Sequence, residues 1–184
     1  MRKLVGTSAV LALLGSAAMA TGLEIEVAGE ANGTVKIDLL EDVAPAHVAQ
    51  ITELAEEGAY DGVVFHRVID GFMAQTGDVQ FGRADGDTAR AGMGGSDKPD
   101  LEAEFSDIAY EKGVVGMARS QSPNSANSQF FIMFDEAPFL DGQYTVVGKV
   151  TEGQDVVDAI KRGTGPNGAV AGTPDVMQKV TVTE

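Results

Sequence analysis

The sequence predicts an all-β fold, a barrel or sandwich with helices capping its ends. Three observations carry this reading. About eight short runs rich in β-branched and aromatic residues are separated by Gly, Asn-Gly, Asp-Gly and Pro signals. Several of these runs alternate apolar with polar residues, so that one face is wet. Only two segments carry helical periodicity. Closure is expected, because an acidic single domain gains from a sheet without free edges.

The first twenty residues are expected to lie outside this domain. Arg2-Lys3 is a basic start, Leu4 to Leu14 is mostly apolar, and Ala18-Met19-Ala20 fits the small-x-small rule of signal-peptide cleavage. The apolar run is too short to span a bilayer. Residues 1–20 are therefore read as a signal peptide cleaved before Thr21, the alternative being an uncleaved anchor. A lipoprotein anchor is excluded, since the chain has no cysteine. The expected location is outside the cytoplasm, in the periplasm if the source is bacterial, with no membrane attachment after cleavage.

Residues 21–184 then make one domain with a sizeable core. The whole chain carries a net charge of −15, and losing Arg2 and Lys3 takes it to −17. Such acidity argues against nucleic acid and anionic membrane surfaces as partners. Absence of cysteine removes thiol catalysis and Cys-based zinc sites.

Leu23 to Val27 and Val35 to Leu39 alternate apolar and charged around an Asn32-Gly33 hairpin signal. Asn32-Gly33-Thr34 also fits a glycosylation acceptor, but the dipeptide already has a structural use. Pro45 suits a first helical position, and Val48, Ile51, Leu54 and Ala55 share one face of a helix that Gly58 closes. His47, in its first turn, is expected to face solvent. The stretch from Gly77 to Gly95 reads as a long surface loop. Its Asp85-x-Asp87 fails the EF-hand pattern at Ala89 and Ser96, and Gly92-x-Gly94-Gly95 lacks the strand and helix of a dinucleotide site. Further strands are expected at Gly113–Ala118, Ser128–Phe134, Tyr144–Val150 and Met177–Thr183. A short helix is expected at Asp155–Ile160, closed by Lys161-Arg162-Gly163.

The chemistry concentrates in Phe65 to Asp78. As one strand, alternation puts Phe65, Arg67 and Ile69 on one face and His66 and Val68 on the other. A core position would not tolerate the arginine. That leaves the wall of an apolar groove, or a buried hairpin whose arginine snorkels to water. Asp70-Gly71 turns the chain, and Phe72-Met73-Ala74-Gln75 resumes it. Later, Gln129, Phe131 and Met133 share a face of similar composition, while Phe130, Ile132 and Phe134 make a face of pure core. Phe139-Leu140 is an apolar pair in a loop, either tucked onto the core or exposed for binding.

Phe65-His-Arg-Val-Ile-x-Gly-Phe-Met-x-Gln-x-Gly-Asp78, Ser128-Gln-Phe-Phe-Ile132, and Leu140-Asp-Gly142 with Val147-Gly-Lys-Val150 resemble the cyclophilin family of peptidyl-prolyl cis-trans isomerases. The resemblance spans essentially all of residues 21–184. It implies a closed eight-stranded antiparallel β-barrel capped by two helices, and action on bonds preceding proline without cofactor or metal. By position it implies Arg67 as the catalytic arginine and Gln75 as a catalytic residue beside it, with Gln75 and Gln129 supplying amide contacts. Phe72, Met73, Phe131 and Leu140 would line the proline pocket, and Ala118, Arg119 and Ser120 its backbone rim. Arg119 stands where well-known eukaryotic members have Asn, Phe139 where they have Trp, and Tyr144 where they have His. The missing indole N–H implies weak binding of cyclosporin.

The expected activity is isomerisation of X-Pro bonds in exported polypeptides by a monomer. The alternative is a non-catalytic chaperone module on the same barrel. A serine hydrolase lacks its nucleophile elbow, and a metal enzyme lacks clustered ligands.

Overall fold

The computed structural model describes residues 21–184, so the expected leader lies outside the described residues. Nine antiparallel strands form one curled sheet, and two helices accompany it. In chain order these are β1 (Gly22–Ala28), β2 (Gly33–Leu39), α1 (Pro45–Glu56), β3 (Val63–Val64), β4 (Arg67–Ile69) and β5 (Met73–Thr76). Then follow β6 (Val114–Met117), β7 (Phe130–Met133), β8 (Val146–Glu152), α2 (Gln154–Ala159) and β9 (Val176–Thr183). Spatially they run β3-β9-β1-β2-β8-β6-β7-β5-β4.

This corrects the expected closed eight-stranded barrel. The stretch 63–69 is not one strand, because it breaks at Phe65–His66 into β3 and β4. These occupy the two ends of the sheet, which are joined by the chain and not by a ladder. The break has a packing cause. Phe65 turns into the main core with Val63 and Val68 instead of sharing a face with Arg67. Its N–H donates to Asp175 O, and Val170 N–H donates to His66 O, so the backbone at the break is satisfied by the last loop. The same loop covers the β4 edge through an Arg67–Ala169 bridge and a bond from Gly163 N–H to Val68 O. Gly163 therefore does not cap α2, which ends at Ile160 in extended backbone.

Most other expectations hold. Leu23, Ile25 and Val27 of β1 and Val35, Ile37 and Leu39 of β2 fill the interior. Their ladder closes at Val27 opposite Gly33, so the turn is residues 28–32 and not a two-residue Asn-Gly loop. Phe130, Ile132 and Phe134 lie in the main core, while Phe131 and Met133 belong to a second cluster with Met73, Tyr110 and Leu140. Helix α1 buries Val48, Ile51, Leu54 and Ala55 and is followed by Gly58 at φ +70°.

His47 is the second correction: it is fully buried, its Nδ1 2.6 Å from Glu104 Oε2. Helix α1 has no side-chain cap of its own. Glu104 supplies one from a distant loop, accepting the N–H groups of Ala46 and His47. Burial pushes the Glu104 carboxyl up, but these bonds outweigh it and hold the group below its ordinary range.

The 77–95 loop is organised by one carboxylate. Asp78 is fully buried; its Oδ1 accepts N–H from Gln80 (3.1 Å) and Phe81 (2.9 Å), and its Oδ2 from Gly92 (2.7 Å) and Gly94 (2.9 Å). Both ends of the loop hang on it. Among the described residues no helix is long and apolar enough to cross a membrane. Asp78→Asn turns an acceptor into a donor facing amide hydrogens, and should lower unfolding free energy by about 3 kcal/mol. Urea denaturation measures this, and a loss under about 0.5 kcal/mol would contradict the tether.

Candidate active site

Ladder register builds the site. Arg67 of β4 lies opposite Gln75 of β5, Gln75 opposite Phe131 of β7, and Phe131 opposite Gly116 of β6. One row of the sheet therefore carries a cation, an amide, an aromatic ring and a vacancy. At Gly116 a Cβ would come within 2.6 Å of Phe131 Cζ and within 2.7 Å of Tyr110 Cε1. Only glycine lets the Phe131 ring lie down there, stacked on Tyr110 with centroids 5.8 Å apart.

Beside this row is a cavity of about 470 Å³. Met73, Phe131 and Leu140 form its buried floor. Phe72 and Phe139 form one wall, their rings 5.5 Å apart, with Phe139 69% exposed at the rim. The loop pair thus splits, Leu140 tucked in and Phe139 presented outward. Tyr144 packs edge-on against Phe131 at 6.0 Å, and Arg119 lies 4.3 Å above the Tyr144 ring. Arg119 donates to the carbonyls of Ser120 and Gln143, tying the two lips of the opening. A second cavity of about 380 Å³ adjoins it, sharing Gln75, Ala118 and Arg119. Ser120 and Gln129 line this second space and not the first.

Arg67 is half-buried with its guanidinium at the first cavity. Its Nη1 donates to Gln75 Oε1 at 3.0 Å and lies 3.9 Å from Met73 Sδ. An arginine only donates, which fixes the amides beyond it. Gln75 Nε2 donates to Gln129 Oε1 at 2.9 Å, and Gln129 Nε2 to Gly94 O at 2.7 Å. The relay ends on the loop that Asp78 tethers. Burial lowers the Arg67 pKa, yet a guanidinium stays protonated across the working range.

Sequence reasoning missed Asn167. Its backbone O accepts Arg67 Nε–H at 3.0 Å and its Oδ1 accepts from Nη2 at 3.2 Å. Pro166-Asn167-Gly168 has the composition of a turn, but nothing in the sequence places it against Arg67. His66, next to the arginine, points away. Its ring is buried against Gly92, neither nitrogen has a partner, and burial pulls its pKa down to about 4. Among the described residues no group of three or more His, Asp or Glu could hold a metal ion.

The family model described as "Cyclophilin type peptidyl-prolyl cis-trans isomerase/CLD" matches residues 23–183. A probable peptidyl-prolyl cis-trans isomerase of Brucella suis is 63% identical over 154 residues, covering 82% of this chain and 78% of its own. Among solved structures, cyclophilin AquaCyp293 from Hirschia baltica is 28% identical with TM-score 0.70, covering 87% of this chain and 73% of its own. A Cryptosporidium parvum cyclophilin, solved in the presence of the dipeptide Ala-Pro, shares the fold at TM-score 0.73 and 23% identity, covering 89% of this chain and 99% of its own. A curled antiparallel sheet with two helices, a matching model over nearly every described residue, and a relative at this identity lead to one conclusion. The chain belongs to the cyclophilin-type peptidyl-prolyl cis-trans isomerase family.

Proposed function

We propose that this peptidyl-prolyl cis-trans isomerase works through the Arg67 guanidinium, acting on proline-containing segments of exported polypeptides. The observation that carries the reading is a charged donor held by neutral acceptors beside an apolar cavity. Rotation about the amide meets a barrier of roughly 18–20 kcal/mol because resonance is lost. Uncatalysed X-Pro exchange takes tens to hundreds of seconds. Reaching about ten turnovers per second therefore needs some three decades, or about 4 kcal/mol. No nucleophile, general base or metal is required for so modest a lowering.

What is required is preference for the twisted bond. As it twists, the proline nitrogen becomes pyramidal and regains a lone pair, which Arg67 can hydrogen-bond and which a planar amide does not offer. The interaction forms mainly in the transition state and so raises turnover. Met73, Phe131 and Leu140 hold the proline ring, with Phe72, Phe139 and Tyr144 closing over it. Gln75 and Gln129 contribute amide contacts, and Ala118, Arg119 and Ser120 form the rim along which the peptide backbone lies. The Ala-Pro dipeptide with which the Cryptosporidium relative was solved is the smallest peptide of this class.

The export reading rests on the leader-like residues 1–20, and a cysteine-free domain is compatible with it. It places the mature protein, beginning at Thr21, in the periplasm as a monomer without nucleic-acid partners. Mass spectrometry of the periplasmic fraction should find Thr21 as the first residue; a chain retaining Met1 in the membrane fraction would overturn this.

In a protease-coupled assay on an Ala-Pro peptide, Arg67→Ala should lower kcat/KM by 100- to 1000-fold, about 3–4 kcal/mol. Gln75→Ala should lower it about tenfold. Unchanged exchange in Arg67→Ala would leave only a binding module.

The pH behaviour follows from His66. The rate should be flat from about pH 6.5 to 8.5, since Arg67 does not titrate there. Stability should behave differently. The unfolded histidine takes a proton near 6.5 and the folded one near 4. The unfolded state thus binds the extra proton between those values, and folding should weaken by up to about 3 kcal/mol as pH falls from 6.5 to 4. His66→Phe should flatten that limb in denaturation measured against pH, and a rate limb near pH 6.5 would instead implicate His66 in the chemistry.

A further inference from the structure

We infer that Asn167 is a positioning residue that locks the reactive arginine in place from the side opposite Gln75. The inference rests on the reading of Arg67 given above. A guanidinium has five N–H donors. Nε–H goes to Asn167 O, one Nη2 hydrogen to Asn167 Oδ1 and one Nη1 hydrogen to Gln75 Oε1. The remaining pair is one hydrogen on Nη2 and one on Nη1, the latter met only by the Met73 thioether at 3.9 Å. Clamped on both sides by neutral oxygens, the group keeps its charge and two donors for a substrate nitrogen. A carboxylate clamp would hold it as firmly and neutralise it.

The residue type follows from two demands made at once. Asn167 has φ +56°, and it is the one non-glycine residue with positive φ among the described residues. Glycine would meet the backbone demand but offer no Oδ1. Larger residues with an acceptor resist that conformation, whereas asparagine tolerates it. The turn that presents it is itself braced. Gly168 N–H donates to Gly165 O, Ala169 N–H to Pro166 O, and Gly165 N–H to Ala169 O. The Arg67–Ala169 bridge then fixes this turn to β4.

Asn167→Gly keeps the backbone and its carbonyl and removes only the Oδ1 contact. It should lower kcat about tenfold with KM changed less than twofold, and leave the melting temperature near wild type. In an Arg67→Ala background the same substitution should have no further effect on kcat. Equal loss in both backgrounds, or no loss in the single variant, would overturn the inference. Unchanged activity in Arg67→Ala alone would overturn it together with the reading of the site, and is recognisable as such because it appears before Asn167 is touched.

A separate observation concerns the other end of the sheet. Thr21 N donates to Glu41 Oε1 at 2.8 Å, and Thr21 O accepts Leu39 N–H at 2.9 Å. We propose that Glu41 is the receptor for the α-ammonium group released when the leader is cut after Ala20, so that processing tightens the fold. Hydrolysis adds the hydroxyl of water to the Ala20 carbonyl and its hydrogen to the Thr21 nitrogen, and the freed amine takes up a proton. A neutral amide facing the carboxylate thereby becomes a cation with three donors. The surrounding charges favour it. The pairing of Gly22 with Asp38 and Thr183 brings Asp38 and the C-terminal Glu184 to this end of the sheet; Asp42 follows Glu41, and Lys149 lies opposite Asp38.

The test compares three chains beginning at Thr21: the free amine, the N-acetylated form and Glu41→Gln. The ordinary α-amino pKa is about 7.7–8.0, and pairing raises it in the folded state. The added stability is then present below pH 7.7 and lost as pH rises through the folded value. The folding equilibrium constant of the free-amine chain, relative to the acetylated one, should fall about fivefold between pH 7 and 9.5. Glu41→Gln should erase most of that difference. Superimposable pH curves for free and acetylated chains would overturn the proposal, whatever the fate of the Glu41 variant.

Discussion

A positive charge left unneutralised in a half-buried position is the constraint around which this molecule is arranged. Desolvation acts against Arg67, and the usual remedy would be a carboxylate. The chain has acids in excess, yet the hydrogen bonds to this guanidinium go to Gln75 and Asn167. Neutral acceptors satisfy donors without cancelling charge. In the proposed reading, an ion pair here would have to be weakened as the proline nitrogen developed its lone pair. Dipolar partners leave the charge of the cation available at the cavity.

Such an arrangement is useful only if the guanidinium cannot wander, and the fold supplies the restraint through distant parts of the chain. From one side comes β5 with Gln75, backed by Gln129 and by Gly94 of a loop tied to Asp78. From the other comes the 163–170 segment, which completes the covering of the β4 edge. The interruption at Phe65–His66 makes this possible. A continuous strand through 63–69 would turn Phe65 to the same face as Arg67 and leave the core short of an aromatic ring. Breaking it sends Phe65 inward and lets Arg67 start a new strand, in register with Gln75. The open ladder between β3 and β4 is thus linked to the geometry of the site.

How much of this could be read beforehand depended on the range of the interactions concerned. The parity of β7 was legible, because alternation is local and Phe130, Ile132 and Phe134 are all apolar. Helix α1 and its Gly58 terminus were legible for the same reason. His47 was misjudged because its burial depends on Glu104, 57 residues away, and a helical wheel contains no information about what covers a position. The break at Phe65 was hidden because β-branched and aromatic residues continue through it. Asn167 drew no notice as a partner of Arg67, since the two are 100 residues apart. Arg67, Gln75, Phe131 and Leu140 stood out through residue types that sit awkwardly in an ordinary strand or loop.

The rim differs in kind from the floor, and the difference bears on what the groove selects. Met73, Phe131 and Leu140 are buried and interlocked, with Gly116 making room for the ring, so their shape is set before any peptide arrives. Phe139 is mostly exposed and is held on its cavity side by Phe72. Arg119 spends its hydrogen bonds on carbonyls of both lips and its planar face on Tyr144, serving as a strut more than a free charge. A rigid apolar floor beneath a rim held by stacking and backbone carbonyls divides the cavity into a preformed part and an adjustable one. In the proposed reading the proline ring takes the preformed part, which leaves the flanking residues of a peptide to the rim.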